Sequence, residues 1–313
     1  MHRHHTHGVA AHAARFDVVF AVAVGLNTLY IVVEAGFGLW IGSLALLADA
    51  GHNLSDVLGL LMAWGAHALI RLRPTQRRTY GWRSTTIFAA LGNGLLLVGA
   101  VGAVTYEAIH RLFEPPPVPG LLMLGVALVG VVINSVTAYF LLRGSEADLN
   151  IRSAFLHMAA DAAISAAVVG TGLVIYLFQT YWLDPVVSLL VGAVILYTTW
   201  EVLTEAVNLA LHAVPSDVDL EEVRKFLLGL PGVTDVHDLH VWALSTTEKA
   251  LTAHLIMPEP PEDRNFAGWV AHQLHDRFGI HHSTIQIDPA SCGLVCHPAD
   301  YVHSHAAVQE QEQ

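Results

Sequence analysis

Six apolar stretches, at roughly 16–40, 43–70, 84–110, 119–142, 153–178 and 184–208, fill the chain as far as its last third. Each is near or above the ~20 residues that a helix needs to cross the hydrocarbon core of a bilayer. A spanning segment must satisfy its backbone hydrogen bonds internally, so stretches of this length read as α-helices and the chain as a polytopic membrane protein. The first stretch is too long for the apolar core of a signal peptide and lacks a small-residue cleavage pattern, which makes it a true span.

Composition points the same way. Apolar residues make up 54% of the chain and charged residues 13%, with a mean hydropathy of +0.50, a profile that soluble domains seldom reach. The formal net charge of −12 is carried largely by acidic residues after position 200, so it belongs to a separate polar domain. Lys and Arg form no continuous patch there, and nucleic acid is excluded as a partner class. Cys292 and Cys296 are the only two cysteines. One pair cannot make a disulfide framework, which leaves metal binding as the alternative use.

Orientation follows from the arginines. Arg71, Arg73, Arg77, Arg78 and Arg83 crowd the connection after the second stretch, and Arg143 and Arg152 flank the connection after the fourth. The opposite connections, at 41–42, 114–119 and 179–183, hold no Lys or Arg, although Arg111 sits beside one of them. The positive-inside rule places the arginine-bearing loops in the cytosol. An even number of spans then puts both termini on the cytosolic side of the cell inner (plasma) membrane.

The pattern changes after Pro215. Residues 217–229 read as an amphipathic helix with Ser216 as its N-cap and acidic residues in its first turn. Strand-like runs follow at 233–244 and 250–257, then a second helix at about 263–278 and a last strand at 283–288. The order helix, strand, strand, helix, strand predicts an open α+β domain. The expected organisation is a His-rich cytosolic tail at 1–15, a transmembrane domain at 16–210, a cytosolic metal-binding domain at 211–290 and a C-terminal tail at 291–313 that carries the cysteine pair.

The chemistry sits where a bilayer should exclude it. Asp49, His52 and Asp56 fall inside the second stretch and His157 and Asp161 inside the fifth, where an ionisable side chain is expensive unless paired or hydrated. His52 and Asp56 are spaced i, i+4, as are His157 and Asp161, so each pair projects from one helix face. A lone pair of this kind is as readily an interhelical hydrogen-bond clasp. Two copies of the same pair on two helices predict a shared site of two imidazoles and two carboxylates. That donor set suits tetrahedral Zn2+, whereas Mg2+ and Ca2+ favour larger all-oxygen shells. Asp49 lies one turn before His52. Three roles stay open for it: an acceptor that orients a ligand, a stopping place for a proton, or a hydrated acid near the outer end of the span.

The run SLALLADAGHNLSD from Ser43 to Asp56 resembles a motif of the cation diffusion facilitator family. YGW at Tyr80–Trp82, HMAAD at His157–Asp161 and VHDLHVWAL at Val236–Leu244 are similar to family motifs as well. The match runs from about residue 16 to 290. It implies a homodimer in the bilayer, a transport site formed by His52, Asp56, His157 and Asp161, and exchange of cytosolic Zn2+ for external protons by alternating access. Cd2+ and Co2+ are further expected substrates, and members with Asp at the position of His52 are implied to accept Cd2+. The resemblance also implies a ferredoxin-like cytosolic domain, with His237, His254 and Asp288 at positions where relatives hold a cytosolic, structural or regulatory Zn2+.

Two features depart from the family. The segment 71–79 lacks the His and Asp ligands that some members place after the second span, and the His-rich loop between spans four and five is reduced to 144–151. Histidines occur instead at the N-terminus, as His2, His4, His5, His7 and His12; a cloned tag is one reading, and their irregular spacing favours a native metal-capturing tail. His281, Cys292 and Cys296, with His5 or His7, would make a further cytosolic Zn2+ site. A membrane-embedded zinc hydrolase is the alternative with the same ligands. It would need an open coordination position for an activated water and a general base, and four protein ligands close a tetrahedral site. A non-transporting metal sensor is the other alternative, and it would be expected to have lost part of the quartet.

Overall fold

The computed structural model of the protein describes residues 25, 28–142, 149–261 and 265–289. Five of its helices are long and apolar enough to cross a membrane: α2 Leu44–Ile70, α3 Thr85–Phe113, α4 Gly120–Leu142, α5 Leu149–Phe178 and α6 Leu183–Ala210. A shorter apolar helix precedes them, α1 Thr28–Ile41, and the N-terminal part of the predicted first span lies outside the described residues. The predicted limits of the other five spans agree with the helices to within a few residues. At ~1.5 Å per residue, even the 23-residue α4 exceeds the ~30 Å hydrocarbon thickness. These helices are apolar on most of their circumference, and large side chains such as Phe88, Phe140, Tyr197 and Trp200 lie exposed on their outer faces. A lipid environment makes that surface stable.

The chain divides into two compact units. The first comprises the residues up to Leu61 together with Gly92–Glu201, and the second comprises Met62–Leu91 with Val202 onwards. In the first unit, α1 and α2 meet at a two-residue turn that Gly42 closes with φ of 71°, a backbone angle that suits glycine. The freed amides at the start of α2 are satisfied by a distant carboxylate. Asp184, at the start of α6, accepts from the Ser43 hydroxyl at 2.7 Å and from the backbone N–H groups of Leu44 and Ala45 at 2.8 and 3.2 Å. Arg111 donates to the Gly42 carbonyl at 2.5 Å and to Glu107 at 2.7 Å, which accounts for an arginine beside a connection otherwise free of positive charge. Such contacts matter in a bilayer, where no water rescues an orphaned backbone group.

Close helix packing in this unit depends on particular glycines. A Cβ on Gly120 would lie 2.5 Å from the Gly172 carbonyl oxygen, and one on Gly172 would lie 2.7 Å from the Leu124 backbone nitrogen. Gly130 sits against Tyr30 and Ser165. Other glycines of α3 and α4, namely Gly92, Gly99, Gly102 and Gly125, have nothing within 4 Å of an added Cβ. Their faces are open within the protomer, and the α4–α5 seam runs through other residues. Around it, Ala45, Leu46, Met123, Ala127, Val168 and Ile175 form a buried apolar cluster.

In the second unit the predicted element order is present: α7 Leu220–Leu228, β1 Asp235–Ala243, β2 Lys249–Ile256, α8 Phe266–Phe278 and β3 Ile280–Asp288. The sheet order is β1-β2-β3, with β1 antiparallel and β3 parallel to β2. Val223 and Leu227 of α7 and Val270 and Leu274 of α8 bury against Val236, Val241, Leu251 and Leu255, so one face of the sheet carries the core. The N-cap of α7 is Asp219 rather than Ser216: its carboxylate accepts from the N–H groups of Glu221 and Glu222 at 2.9 and 3.1 Å. Ser216 is occupied elsewhere, donating to Glu205 at 3.0 Å. The connection before α3 joins this unit through the Arg83–Glu248 ion pair, through the Thr246 N–H donating to the Thr86 hydroxyl at 3.1 Å, and through the Ser84 hydroxyl donating to the Leu244 carbonyl at 3.3 Å.

Candidate metal sites

The i, i+4 pairs on α2 and α5 face each other. His52 Nε2 lies 3.7 Å from Asp56 Oδ2 and 3.4 Å from Asp161 Oδ1. His157 Nε2 lies 3.1 Å from Asp56 Oδ2 and 3.7 Å from Asp161 Oδ2. The two imidazole rings have their centroids 6.0 Å apart. Each histidine therefore stands between the same two carboxylates, one from its own helix and one from the opposite helix. Donor atoms of Asp56, His157 and Asp161 all fall within 4.8 Å of one another, close enough for one ion.

Burial is graded across this quartet. The Asp161 side chain is 2% exposed and that of His157 is 44% exposed, with His52 and Asp56 between them. Asp161 Oδ1 is buried with no hydrogen-bond partner. An unsatisfied carboxylate oxygen at the bottom of a half-open cluster of imidazoles has the chemistry of a cation ligand.

Asp49 is fully buried, which removes the reading of a hydrated acid. Its Oδ2 accepts from the Ser165 hydroxyl at 2.8 Å and its Oδ1 from the Asn53 amide at 3.4 Å. Ser165 lies one turn beyond Asp161 on α5, so Asp49 ties α2 and α5 together beside the quartet. Glu34 on α1 is also fully buried and accepts from the Tyr30 hydroxyl at 2.7 Å. Sequence reasoning missed Glu34, although an acid within an apolar stretch is the same signal that singles out Asp49.

In the C-terminal domain, register brings His237 and His254 directly opposite each other on β1 and β2, with ring centroids 5.2 Å apart. Asp288 ends β3 two residues beyond the partner of His254 in the β2 register, and its Oδ2 lies 3.7 Å from His254 Nδ1. Donor atoms of all three fit within 4.8 Å, and both His237 Nε2 and His254 Nδ1 are buried without hydrogen-bond partners. Two orphaned imidazole nitrogens and a carboxylate fit Zn2+. The sequence pattern does not single out Asp238. It adopts φ of 51° at the bulge between His237 and His240, and its carboxylate lies 3.6 Å from His254 Nε2 and 3.0 Å from His240 Nε2. A positive φ is tolerated by Asp better than by most residues, and the bulge aims the carboxylate at the histidines.

Of the further set, only His281 is described. Its ring meets that of His275 edge-on at 5.4 Å, and its Nδ1 is 3.5 Å from the Lys249 backbone nitrogen. Cys292, Cys296, His5 and His7 lie outside the described residues.

Comparison with known proteins places both parts of the chain in one family. Residues 20–209 match the family model described as the cation efflux transmembrane domain, and residues 215–290 match the cation efflux protein cytoplasmic domain. The chain is 35% identical over 272 residues to the metal cation efflux system protein CzcD of Cupriavidus metallidurans, covering 87% of this chain and 86% of that protein. It is 35% identical over 289 residues to the zinc transporter ZitB of Escherichia coli and 30% identical over 289 residues to the cadmium, cobalt and zinc/H(+)-K(+) antiporter of Bacillus subtilis, covering 91% of each chain in both cases.

Proposed function

The chain belongs to the cation efflux family, and from that premise we propose that it exports Zn2+ from the cytosol in exchange for protons, with His52, Asp56, His157 and Asp161 as the transport site. It is a membrane-embedded secondary transporter rather than an enzyme. The observation that carries the reading is the mutual facing of two imidazoles and two carboxylates on α2 and α5, each nitrogen within 3.7 Å of both acids. Names of the relatives supply the substrate class, zinc with cadmium and cobalt.

Proton exchange follows from the ligand chemistry. Zn2+ takes neutral imidazole nitrogen and ionised carboxylate, so loading the quartet displaces protons, and the emptied quartet takes them up again before it returns. Alternating access exposes the site first to the cytosol and then to the outside. The experiment is Zn2+ uptake into reconstituted vesicles under an imposed proton gradient. Uptake should follow the gradient and cease to be concentrative when a protonophore collapses it. Flux that ignores the collapse would identify a passive channel.

Both termini are proposed to be cytosolic, supported by the arginines at 71–83. In a Cys292→Ala/Cys296→Ala background, Thr79→Cys should stay unlabelled by an impermeant maleimide in intact cells and become labelled after permeabilisation. Labelling of intact cells would reverse the topology.

The cytosolic triad of His237, His254 and Asp288 is proposed to hold a resident Zn2+ and to steady a homodimer. The orphaned nitrogens of both histidines support it, as does the small size of a domain that gains stability from metal or association. His254→Ala should lose Zn2+ from that site by equilibrium dialysis and shift sedimentation towards the monomer while part of the flux survives. Complete loss of flux in an intact dimer would mean that the triad is part of the transport path.

A further inference from the structure

A cavity of about 920 Å3 opens in the C-terminal domain between the segment 212–214 that follows α6, the N-terminal part of α7 and the edge strand β1. Its ionisable lining residues are His212, Glu221, Arg224, His237, Asp238 and His240. His237 is a member of the triad, so the cavity reaches the triad at that residue. Asp238 stands at the same place. The bulge between His237 and His240 turns its carboxylate so that Oδ1 lies 3.0 Å from His240 Nε2 and Oδ2 lies 3.6 Å from His254 Nε2. Two donors on one tetrahedral Zn2+ are about 3.3 Å apart, since each bond to the ion is roughly 2.0–2.1 Å. The Asp238–His240 contact is close to that spacing. A histidine–carboxylate pair on a half-exposed strand would by itself be an ordinary ion pair. Its position sets this one apart, between a cavity and two imidazole nitrogens, His237 Nε2 and His254 Nδ1, that are buried with no hydrogen-bond partner.

We propose that Asp238 and His240 form an entry site for divalent transition-metal cations, which captures Zn2+ from the cavity and passes it to His237, His254 and Asp288. The inference rests on the triad reading above and adds the route by which the ion arrives. One imidazole and one carboxylate leave the remaining positions of a tetrahedral ion to water, so the ion is held loosely and can move on. The next ligand is near. His237 adjoins Asp238 in the chain, and the Asp238 carboxylate already extends towards His254. Ligands exchange one at a time, with a water leaving as each imidazole binds, and no covalent or redox step takes place. The carboxylate facing His254 Nε2 also favours a proton on that nitrogen, which leaves Nδ1 free for the resident ion. Glu221 and Asp238 draw cations into the cavity, and Arg224 opposes them from α7. Arg224 follows Glu221 at i, i+3, a spacing at which the acid offsets its charge. Mg2+ prefers an all-oxygen shell and dehydrates reluctantly, so an imidazole at the entry discriminates against it.

The test is stopped-flow transfer of Zn2+ from a fluorescent chelator to the full-length protein in detergent, in an Asp161→Ala background that disables the quartet, with equilibrium dialysis alongside. His240→Ala should load the triad roughly tenfold more slowly, the low end of what a charged cleft adds to an association rate. Because His240 is outside the final ligand set, release should slow by the same factor and the equilibrium affinity should stay as it was. His240→Asp puts a donor back and should recover most of the rate, which a repair of packing would not explain. Unchanged loading in a His240→Ala protein that retains its Zn2+ would overturn the entry site and leave the triad reading intact. Zn2+ content that is the same with and without His254→Ala would remove the triad and the entry site together. A folded His240→Ala protein that holds no Zn2+ would put His240 in the resident site and so overturn the proposal as well. A measurement on wild type needs no variant: once the triad is filled, excess Zn2+ but not Mg2+ should protect His240 from diethylpyrocarbonate. Full reactivity of His240 in excess Zn2+ would be fatal to the entry site.

Discussion

Asp161→Ala is expected to lower Zn2+ flux in reconstituted vesicles by more than about a hundredfold, beyond the roughly ten- to hundredfold that loss of a supporting partner costs a metal site. The reason is position. Asp161 is the most deeply buried of the four quartet side chains, with its Oδ1 3.4 Å from His52 Nε2 and its Oδ2 3.7 Å from His157 Nε2. It is the one carboxylate that meets the opposite histidine from the closed end of the cluster, so its removal leaves the ion with an open side facing protein rather than water. Truncation also leaves the His52 ring without that partner, which adds a packing defect that has to be separated from the loss of a ligand. Asp161→Asn serves that purpose, because it preserves the side-chain shape while removing the charge. Both variants should reach the membrane and keep the C-terminal domain folded, with Zn2+ binding at the proposed triad of His237, His254 and Asp288 unchanged by equilibrium dialysis. Substantial flux through either variant would show that the quartet is not the transport site.

The quartet was legible in the sequence because two physical rules meet there. An ionisable residue inside an apolar stretch is costly, and i, i+4 spacing puts a pair on one helix face. Neither rule depends on the rest of the fold. The same holds for the strands at His237, His254 and Asp288, whose alternation and turn residues are local. What escaped is what depends on partners distant in the chain. Asp184 caps α2 from 140 residues away, a pairing that no local pattern encodes. The glycines are a second case. Periodicity marks a face of small residues but does not say which face meets a neighbour, and the close contacts lie at Gly120, Gly130 and Gly172 while Gly99 and Gly102 stay open. The cap of α7 is a third. Ser216 and Asp219 are both good caps by type, and the choice between them was made by Glu205 on α6, which engages Ser216. Asp238 is a fourth, since a bulge that turns one carboxylate towards two histidines is set by the strand register rather than by its own sequence neighbours.

Metal choice is expected to rest on His52. With it, the proposed transport site offers two nitrogens and two carboxylates, and His52 Nε2 stands within 3.7 Å of both acids. Such a set suits the small tetrahedral Zn2+ ion, because imidazole gives one donor in a fixed direction. His52→Asp keeps a ligand at the same helical position and changes its character. A carboxylate binds through one or both oxygens, so one nitrogen and three carboxylates tolerate a larger ion and a higher coordination number. The Asp side chain is also shorter, which opens space at a position whose side chain is now 13% exposed. His52→Asp should therefore remain active with Zn2+ and raise the Cd2+/Zn2+ flux ratio by roughly tenfold, equivalent to about 1.4 kcal/mol in the relative barriers. Asp56→Ala makes the contrast, since it removes a ligand that faces both histidines and should lose both metals together. Competitive Zn2+/Cd2+ uptake in reconstituted vesicles at matched protein levels reads the two variants side by side. An active His52→Asp protein with the metal preference of wild type would show that selectivity is set elsewhere, by the packing of α2 against α5 rather than by the donor atom that His52 supplies.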